Sequence, residues 1–271
     1  MPFEFAVEPL SSQDLPHNVA LSNSVGWPDT ESEWAVIYQA ALVLGVRRAG
    51  ELIAQGALGL FEGAGSIAKM VVAPSAQRHG LGARVLDELL LEAERRSLHR
   101  VGLVATPAGR RLYESRGFTP EGDIAILIGT PTLAFESSGS AAIADVEQLR
   151  AIERRLTGSA RSAVLAGRLR DASASAICDG GFALATSQPN GSRIGPIFAE
   201  GEETARRLTQ DLLLRLTGPV RFDVPGEQRA FRDWLQGLGL VEKGVHLEMS
   251  RGGRLPWQVP QRFCLATQAW G

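Results

Sequence analysis

One stretch restricts the possible folds more than any other. Residues Ile67 to Ala73 form a strand-like run, Pro74 ends it, and Gly80 and Gly82 open a helix. In that helix Leu81, Val85, Leu86, Leu89, Leu90 and Ala93 recur at helical spacing. Arg84, Asp87, Glu88, Glu92, Arg95 and Arg96 fill the opposite face. Glycine removes side chains where the helix starts, so first-turn backbone N–H groups can face an anion. The helix dipole adds roughly half a positive charge at that point, and Arg78 adds a full one. A pyrophosphate suits such a site. The dinucleotide fingerprint G-x-G-x-x-G is not met, because position 85 is Val, and no Gly-Lys-Ser/Thr loop is present.

Around this unit the pattern predicts alternating elements. A strand is expected at 3–9, and helices at 11–24 and 30–38 flank the loop from Ser24 to Asp29, with Asp29 or Thr30 as cap. Strands are expected at 41–48, 51–61 and 66–73, turning at Ala49-Gly50 and Gly63-Ala64-Gly65. After the long helix come a strand at 101–105, a helix from about 107 to 116 and a strand at 122–129. Thr106 and Pro107 open that second helix and Gly117 stops it. Glu136-Ser137-Ser138-Gly139-Ser140 reads as a linker, which places a domain boundary near 135–140 and gives domains 1–135 and 141–271.

The second half repeats the order. Helices are expected at 143–156 and 160–170, strands at 174–178, 181–187 and 193–199, then a helix at 202–216. A strand at 219–224, a helix at 226–237 and strands within 238–250 come next, and the tail 253–271 has no clear pattern. Leu112-x4-Gly117-Phe118 has a counterpart in Trp234-x4-Gly239-Leu240. The second half thus reads as a diverged copy of the first.

Composition excludes several classes. The chain has 271 residues, 44% hydrophobic and 21% charged, which is ordinary globular usage. A net charge of −2, with basic pairs such as Arg47-Arg48 and Arg110-Arg111 scattered along the chain, argues against nucleic acid as a partner. Cys178 and Cys264 have no ligand-spaced neighbours, so no metal site is expected and both thiols read as reduced. No apolar run is long enough for a membrane span, and MPFEFAVEPL does not read as a signal peptide. The expected location is cytoplasmic, and an oligomer is open.

Gln77-Arg78-His79-Gly80-Leu81-Gly82-Ala83 meets the pattern Gln/Arg-x-x-Gly-x-Gly/Ala. It resembles the coenzyme A signature of the GNAT N-acetyltransferase family. Met70-Val71-Val72-Ala73-Pro74 looks like that family's splayed fourth strand, whose backbone pairs with the pantetheine arm. Arg110-Arg111-Leu112-Tyr113-Glu114-Ser115-Arg116-Gly117-Phe118 looks like its second hallmark. The resemblance covers most of residues 3–130. It implies an α+β fold (α/β mixed): two tandem GNAT-like domains, each a mixed, mostly antiparallel sheet flanked by helices. It also implies acetyl-CoA as cosubstrate, a small-molecule or peptide amine as acceptor, and an N-acyltransferase acting by direct attack. A non-catalytic acyl-CoA sensor on the same scaffold is the alternative.

In such a reaction a neutral amine attacks a thioester. The oxyanion needs a donor, expected from a backbone N–H near Val72. The departing thiolate needs a proton, and by resemblance Tyr113 occupies the position that supplies it. Two departures from the family stand out. The fourth strand carries Lys69 but no carboxylate, which leaves Glu62 or a water chain as base, and the fifth strand ends in Ala105-Thr106 where many relatives carry Asn. Trp27 and Asp29 are candidate acceptor contacts, although packing and capping explain them equally well. His79 is expected to matter through its backbone N–H.

In the second half the matching loop reads Ile197-Phe198-Ala199-Glu200-Gly201-Glu202-Glu203, and Leu235 stands opposite Tyr113. The spaced glycines are missing and three carboxylates repel a phosphate, so a second site is not expected. The run Gly181 to Ala199 resembles the C-terminal domain of tandem GNAT proteins. The expected role of this half is to shape the acceptor pocket or to stabilise the first.

Overall fold

Local chemistry sets most of the elements. The computed structural model describes residues 5–132, 136–143 and 145–270. The chain forms two compact units, Met1–Leu103 and Val104–Gly271.

In the first unit, strand β1 (Val7–Pro9) precedes helices α1 (Leu15–Ser24) and α2 (Glu31–Ala40). Of the strand expected at 3–9, positions 3 and 4 lie outside the described residues. Thr30 caps α2, its hydroxyl accepting from Glu33 N at 3.2 Å. Strands β2 (Ala41–Arg48), β3 (Glu51–Phe61) and β4 (Ala64–Val72) come next, then helix α3 (Leu81–Arg95) and strand β5, which starts at Arg100 and ends at Ala105. The pairs β1–β2, β2–β3 and β3–β4 are antiparallel, and β4–β5 is parallel.

Helix α3 has no side-chain N-cap and no acidic residue in its first turn. Packing holds it instead. Its six periodic apolar side chains are all buried, each worth about 1.5–3 kcal/mol. A buried polar knot fixes the helices before it. Asn18 donates to Gln55 at 3.0 Å, Gln55 donates to Ser22 at 3.1 Å, and the Tyr38 hydroxyl donates to Asn18 at 2.5 Å. Asn18, Ser22 and Gln55 are fully buried, so α1 is tied to β3 and α2 where water cannot compete. Burial also pushes the Tyr38 hydroxyl well above the usual phenol range, with Asp14 adding to the effect.

The second unit contains helix α4 (Arg110–Glu114), strand β6 (Thr119–Gly129), helices α5 (Val146–Thr157) and α6 (Ser162–Arg170), and strands β7 (Ala172–Cys178), β8 (Gly181–Gln188) and β9 (Gly191–Ala199). Helix α7 (Glu202–Leu213), strand β10 (Val220–Pro225), helix α8 (Arg229–Gly237), strand β11 (Val241–Arg251) and strand β12 (Arg262–Cys264) complete it. Its strands run in the order β11-β6-β10-β9-β8-β7, with β12 also on β9. Among the described residues of this unit, β9–β10 is the one parallel pair. Both units are therefore mixed, mostly antiparallel sheets flanked by helices.

Composition and compactness mark different boundaries. Strand β6 lies between β10 and β11, hydrogen-bonded to both, so the segment Thr119–Gly129 packs with strands more than 90 residues further along the chain. Residues 133–135, at the expected boundary, lie outside the described residues. The Ser-rich linker that follows is anchored on Asp211. Its carboxylate accepts from Ser137 Oγ at 2.8 Å and from the backbone N–H groups of Ser138 and Ser140 at 2.7 and 2.9 Å. Burial alone would raise the Asp211 pKa, but these hydrogen bonds outweigh it and hold the carboxyl far below its usual range.

Candidate functional site

The strand end, the loop and the helix start lie together in the first unit. Gln55 pairs with Val71 and Ala57 with Ala68, so Gly56 alone faces both Lys69 and Met70. This is a β-bulge, and Lys69 takes a φ of 53° to make it. Only glycine fits opposite. A Cβ on Gly56 would come within 2.4 Å of Met70 Sδ and 2.9 Å of both Leu89 and Val85 in α3.

Past Ser66, β4 has a free edge. It pairs with β5 only through Ala64–Ser66 against Arg100–Gly102. Among the described residues, Ile67–Val72 has no strand on that side, which leaves about 20 Å of edge. The Ala73 N–H donates to Ile53 O at 2.8 Å on the β3 side. By strand alternation the polar groups of Val72 face the free edge. Indeed Gln77 Nε2 reaches Val72 O at 3.2 Å. The Val72 N–H points the same way, where an oxyanion donor is expected.

The loop then closes onto α3. Arg78 and Gly80 have φ of 65° and 77°, two left-handed residues that turn the chain into the helix. His79 Nδ1 lies 2.8 Å from Gln77 O, so its ring braces the loop. Arg84 is the first residue to donate back along the helix, to Gly80 O at 3.1 Å. The N–H groups from Leu81 to Ala83 precede it and have no partner inside the helix. Gln77, Arg78, His79 and Gly80 are exposed. A multiply charged phosphate fits this uncapped start.

The other residues singled out in the sequence have mixed placements. Asp29 binds Lys69 through Oδ1, an ion pair in which the side chains are only 8% and 14% exposed. Trp27 is half-buried against the cluster of Leu21, Leu52 and Val71. Glu62 sits in the turn between β3 and β4, about 26 Å along the strand from Met70. Tyr113 belongs to the second compact unit. It is buried on α4, edge-on to Phe118 at 6.0 Å, and a Cβ on Gly109 would lie 2.9 Å from its ring. The helix containing it starts at Arg110, later than Pro107, because Thr106–Gly109 forms a separate turn. Burial pushes the Tyr113 hydroxyl up to about 12.

The second unit repeats the split strand pair and then fills it. Strands β9 and β10 pair only through Ser192–Ile194 with Val220–Phe222. The opening beyond is taken by β12 from the tail that had no clear pattern in the sequence. Arg262 pairs with Phe198 and Cys264 with Ile197, while Leu265 N donates to Asp223 O of β10 at 3.0 Å. Two buried ion pairs secure the tail. Arg262 binds Glu248 at 2.7 Å, and Arg161 binds Glu153 at 2.6 Å while donating to Trp270 O at 2.5 Å. At the start of α7, Glu202 and Glu203 occupy the first turn.

Family comparisons match this double arrangement. The acetyltransferase (GNAT) domain is matched twice, at residues 36–120 and 149–262, by two separate family models. The chain belongs to the GNAT acetyltransferase family. Its GNAT domains are in tandem, as in a tandem GNAT protein from the clavulanic acid biosynthesis pathway (TM-score 0.67, 13% identity, covering 93% of this chain and all of that one at 100%). A candidate acetyltransferase from Pyrococcus horikoshii shares the fold over 99% of this chain and 96% of its own, with TM-score 0.85 and 18% identity. In sequence, the chain is 27% identical over 270 residues to YitH of Bacillus subtilis, an uncharacterized N-acetyltransferase, covering 93% of each.

Among the described residues no cluster of His, Cys, Asp or Glu could hold a metal ion, and no helix is long and apolar enough to cross a membrane.

Proposed function

We propose that this GNAT protein is an N-acetyltransferase that moves an acetyl group from acetyl-CoA to an amine. One observation carries the reading: the free edge of β4 leads through the loop 73–80 to an uncapped helix start, whereas the equivalent opening in the second unit is filled by the chain's own tail.

Met70, Val71 and Val72 offer backbone groups to the pantetheine arm, and the Val72 N–H is the candidate oxyanion donor. Gln77 to Ala83 receive the pyrophosphate through first-turn N–H groups, with Arg78 adding charge. The Tyr113 hydroxyl, held protonated by burial, donates to the departing thiolate. The tail-filled second unit supports a structural role for that half.

The test is direct. The protein is incubated with acetyl-CoA and a panel of amines, with product mass and free thiol measured together. Stoichiometric acetyl-amine and thiol support the reading. Acetyl-CoA binding without turnover on any amine selects the sensor alternative.

A further inference from the structure

The reaction needs a group to take the proton lost by the attacking nitrogen, and β4 itself carries no carboxylate. Tertiary structure brings one there. Asp29, from the loop between α1 and α2, reaches Lys69 at the bulge, one residue before Met70. Lys69 occupies Oδ1. Asp29 Oδ2 is buried, and no hydrogen-bond donor among the described residues reaches it. A buried carboxylate oxygen without a donor is unusual and costs stability. The ion pair explains why Asp29 is held there; it does not explain the open acceptor. A donor brought by a ligand does.

Building on the acetyltransferase reading above, we infer that Asp29 Oδ2 accepts the N–H of the attacking amine and takes its proton, with Lys69 as the residue that positions Asp29. The nitrogen forms its bond to the thioester carbon and becomes strongly acidic. Its proton passes to Asp29 Oδ2 and then to solvent. The C–S bond breaks, and the thiolate receives its proton from Tyr113, which is reprotonated from solvent.

The pair also selects the acceptor. Lys69 already neutralises Asp29, so an incoming ammonium meets a cation and gains no unpaired counter-charge. The acceptor must arrive as a neutral amine. At pH 7.5 a peptide α-amine, with a pKa of about 7.7–8.0, is neutral on the order of a third of the time. A lysine side chain, at about 10.4, is neutral roughly a thousandth of the time. The inferred substrate class is therefore a weakly basic primary amine.

The experiment compares an alanyl tripeptide amide with an Nα-blocked lysine amide, both with acetyl-CoA and the full chain. For the wild type, the α-amine is expected to give a kcat/KM at least about tenfold higher. Asp29→Asn should lower kcat about a hundredfold while leaving acetyl-CoA affinity unchanged, and should lower the melting temperature because Lys69 loses its buried counter-charge. Asp29→Glu should restore part of the rate. Lys69→Arg should keep most of it, and Lys69→Met should lower kcat more than it raises acceptor KM. A merely structural pair would move acetyl-CoA affinity along with kcat, and Asp29→Glu would then restore stability without restoring the rate. Equal turnover in Asp29→Asn, or preference for the lysine amide, overturns the inference and leaves the acetyltransferase reading intact. Wild-type protein that binds no acetyl-CoA, or acetylates no amine at all, overturns both.

Discussion

Gly195 and Leu265 lie so close that a Cβ on Gly195 would sit 1.9 Å from the Leu265 carbonyl oxygen. Gly195 also has a φ of 143°, a conformation that side-chain-bearing residues rarely adopt. This contact seals the tail into the opening between β9 and β10. Gly195→Ala should destabilise the protein by about 2–4 kcal/mol, read from denaturant unfolding. A change below about 0.5 kcal/mol would mean that the tail does not pack there.

The filled opening also sets a stoichiometry. Calorimetric titration of the wild type with coenzyme A should give one site per chain, because among the described residues the opening beside the split strand pair is free in the first unit and filled by the tail in the second. Two equivalent sites would show that the tail yields to ligand.

Gly82→Glu separates ligand binding from stability. A carboxylate in the first turn of α3 favours the helix dipole, so the melting temperature should hold or rise slightly. The same charge opposes a pyrophosphate, and acetyl-CoA affinity should fall about tenfold or more. Unchanged affinity would place the phosphate elsewhere.

The chain has two tyrosines, Tyr38 and Tyr113. Burial raises both hydroxyls above the usual value of 10.0, Tyr113 to about 12. The unfolded chain ionises near pH 10, so stability from their protonated state is complete below that pH and is lost as pH rises through the folded-state values. Tyrosinate absorbance should therefore stay low through pH 10 and rise together with unfolding. Tyr113→Phe should soften that alkaline loss, spare acetyl-CoA affinity and lower turnover; full activity would remove Tyr113 from the mechanism.

Gln55 holds the knot between α1 and β3. Gln55→Ala leaves Asn18 and Ser22 buried without their partner and should cost about 2–4 kcal/mol. Gln55 is next to Gly56 opposite the bulge, so acceptor KM should rise as well, measured by steady-state kinetics.

Much was legible because it is local. The six apolar positions of α3 and the hairpin turn at Ala49-Gly50 follow from periodicity and backbone preference and appear where the pattern put them, and of the two caps offered for α2, Asp29 and Thr30, it is Thr30 that caps. The order of elements in the second half was equally readable. Contacts across long stretches of chain were not. Asp29 and Lys69 are 40 residues apart, and nothing in either neighbourhood announces the other. Helix α4 starts late because Thr106–Gly109 closes its own turn. The Ser-rich stretch reads as a loose linker by composition, yet Asp211, more than 70 residues away, anchors it.

The amino-acid sequence by itself determined the element order, the tandem GNAT likeness and the anion-ready loop at Gly80 and Gly82, because strand, turn and helix signals lie within a few residues of one another. Only the tertiary structure decided which of the two openings stays free and where a carboxylate meets β4. Those outcomes depend on the tail packing at Gly195 and on a bulge that turns Lys69 towards Asp29. Neither has a local signature, because each is settled by which distant groups share a desolvated space.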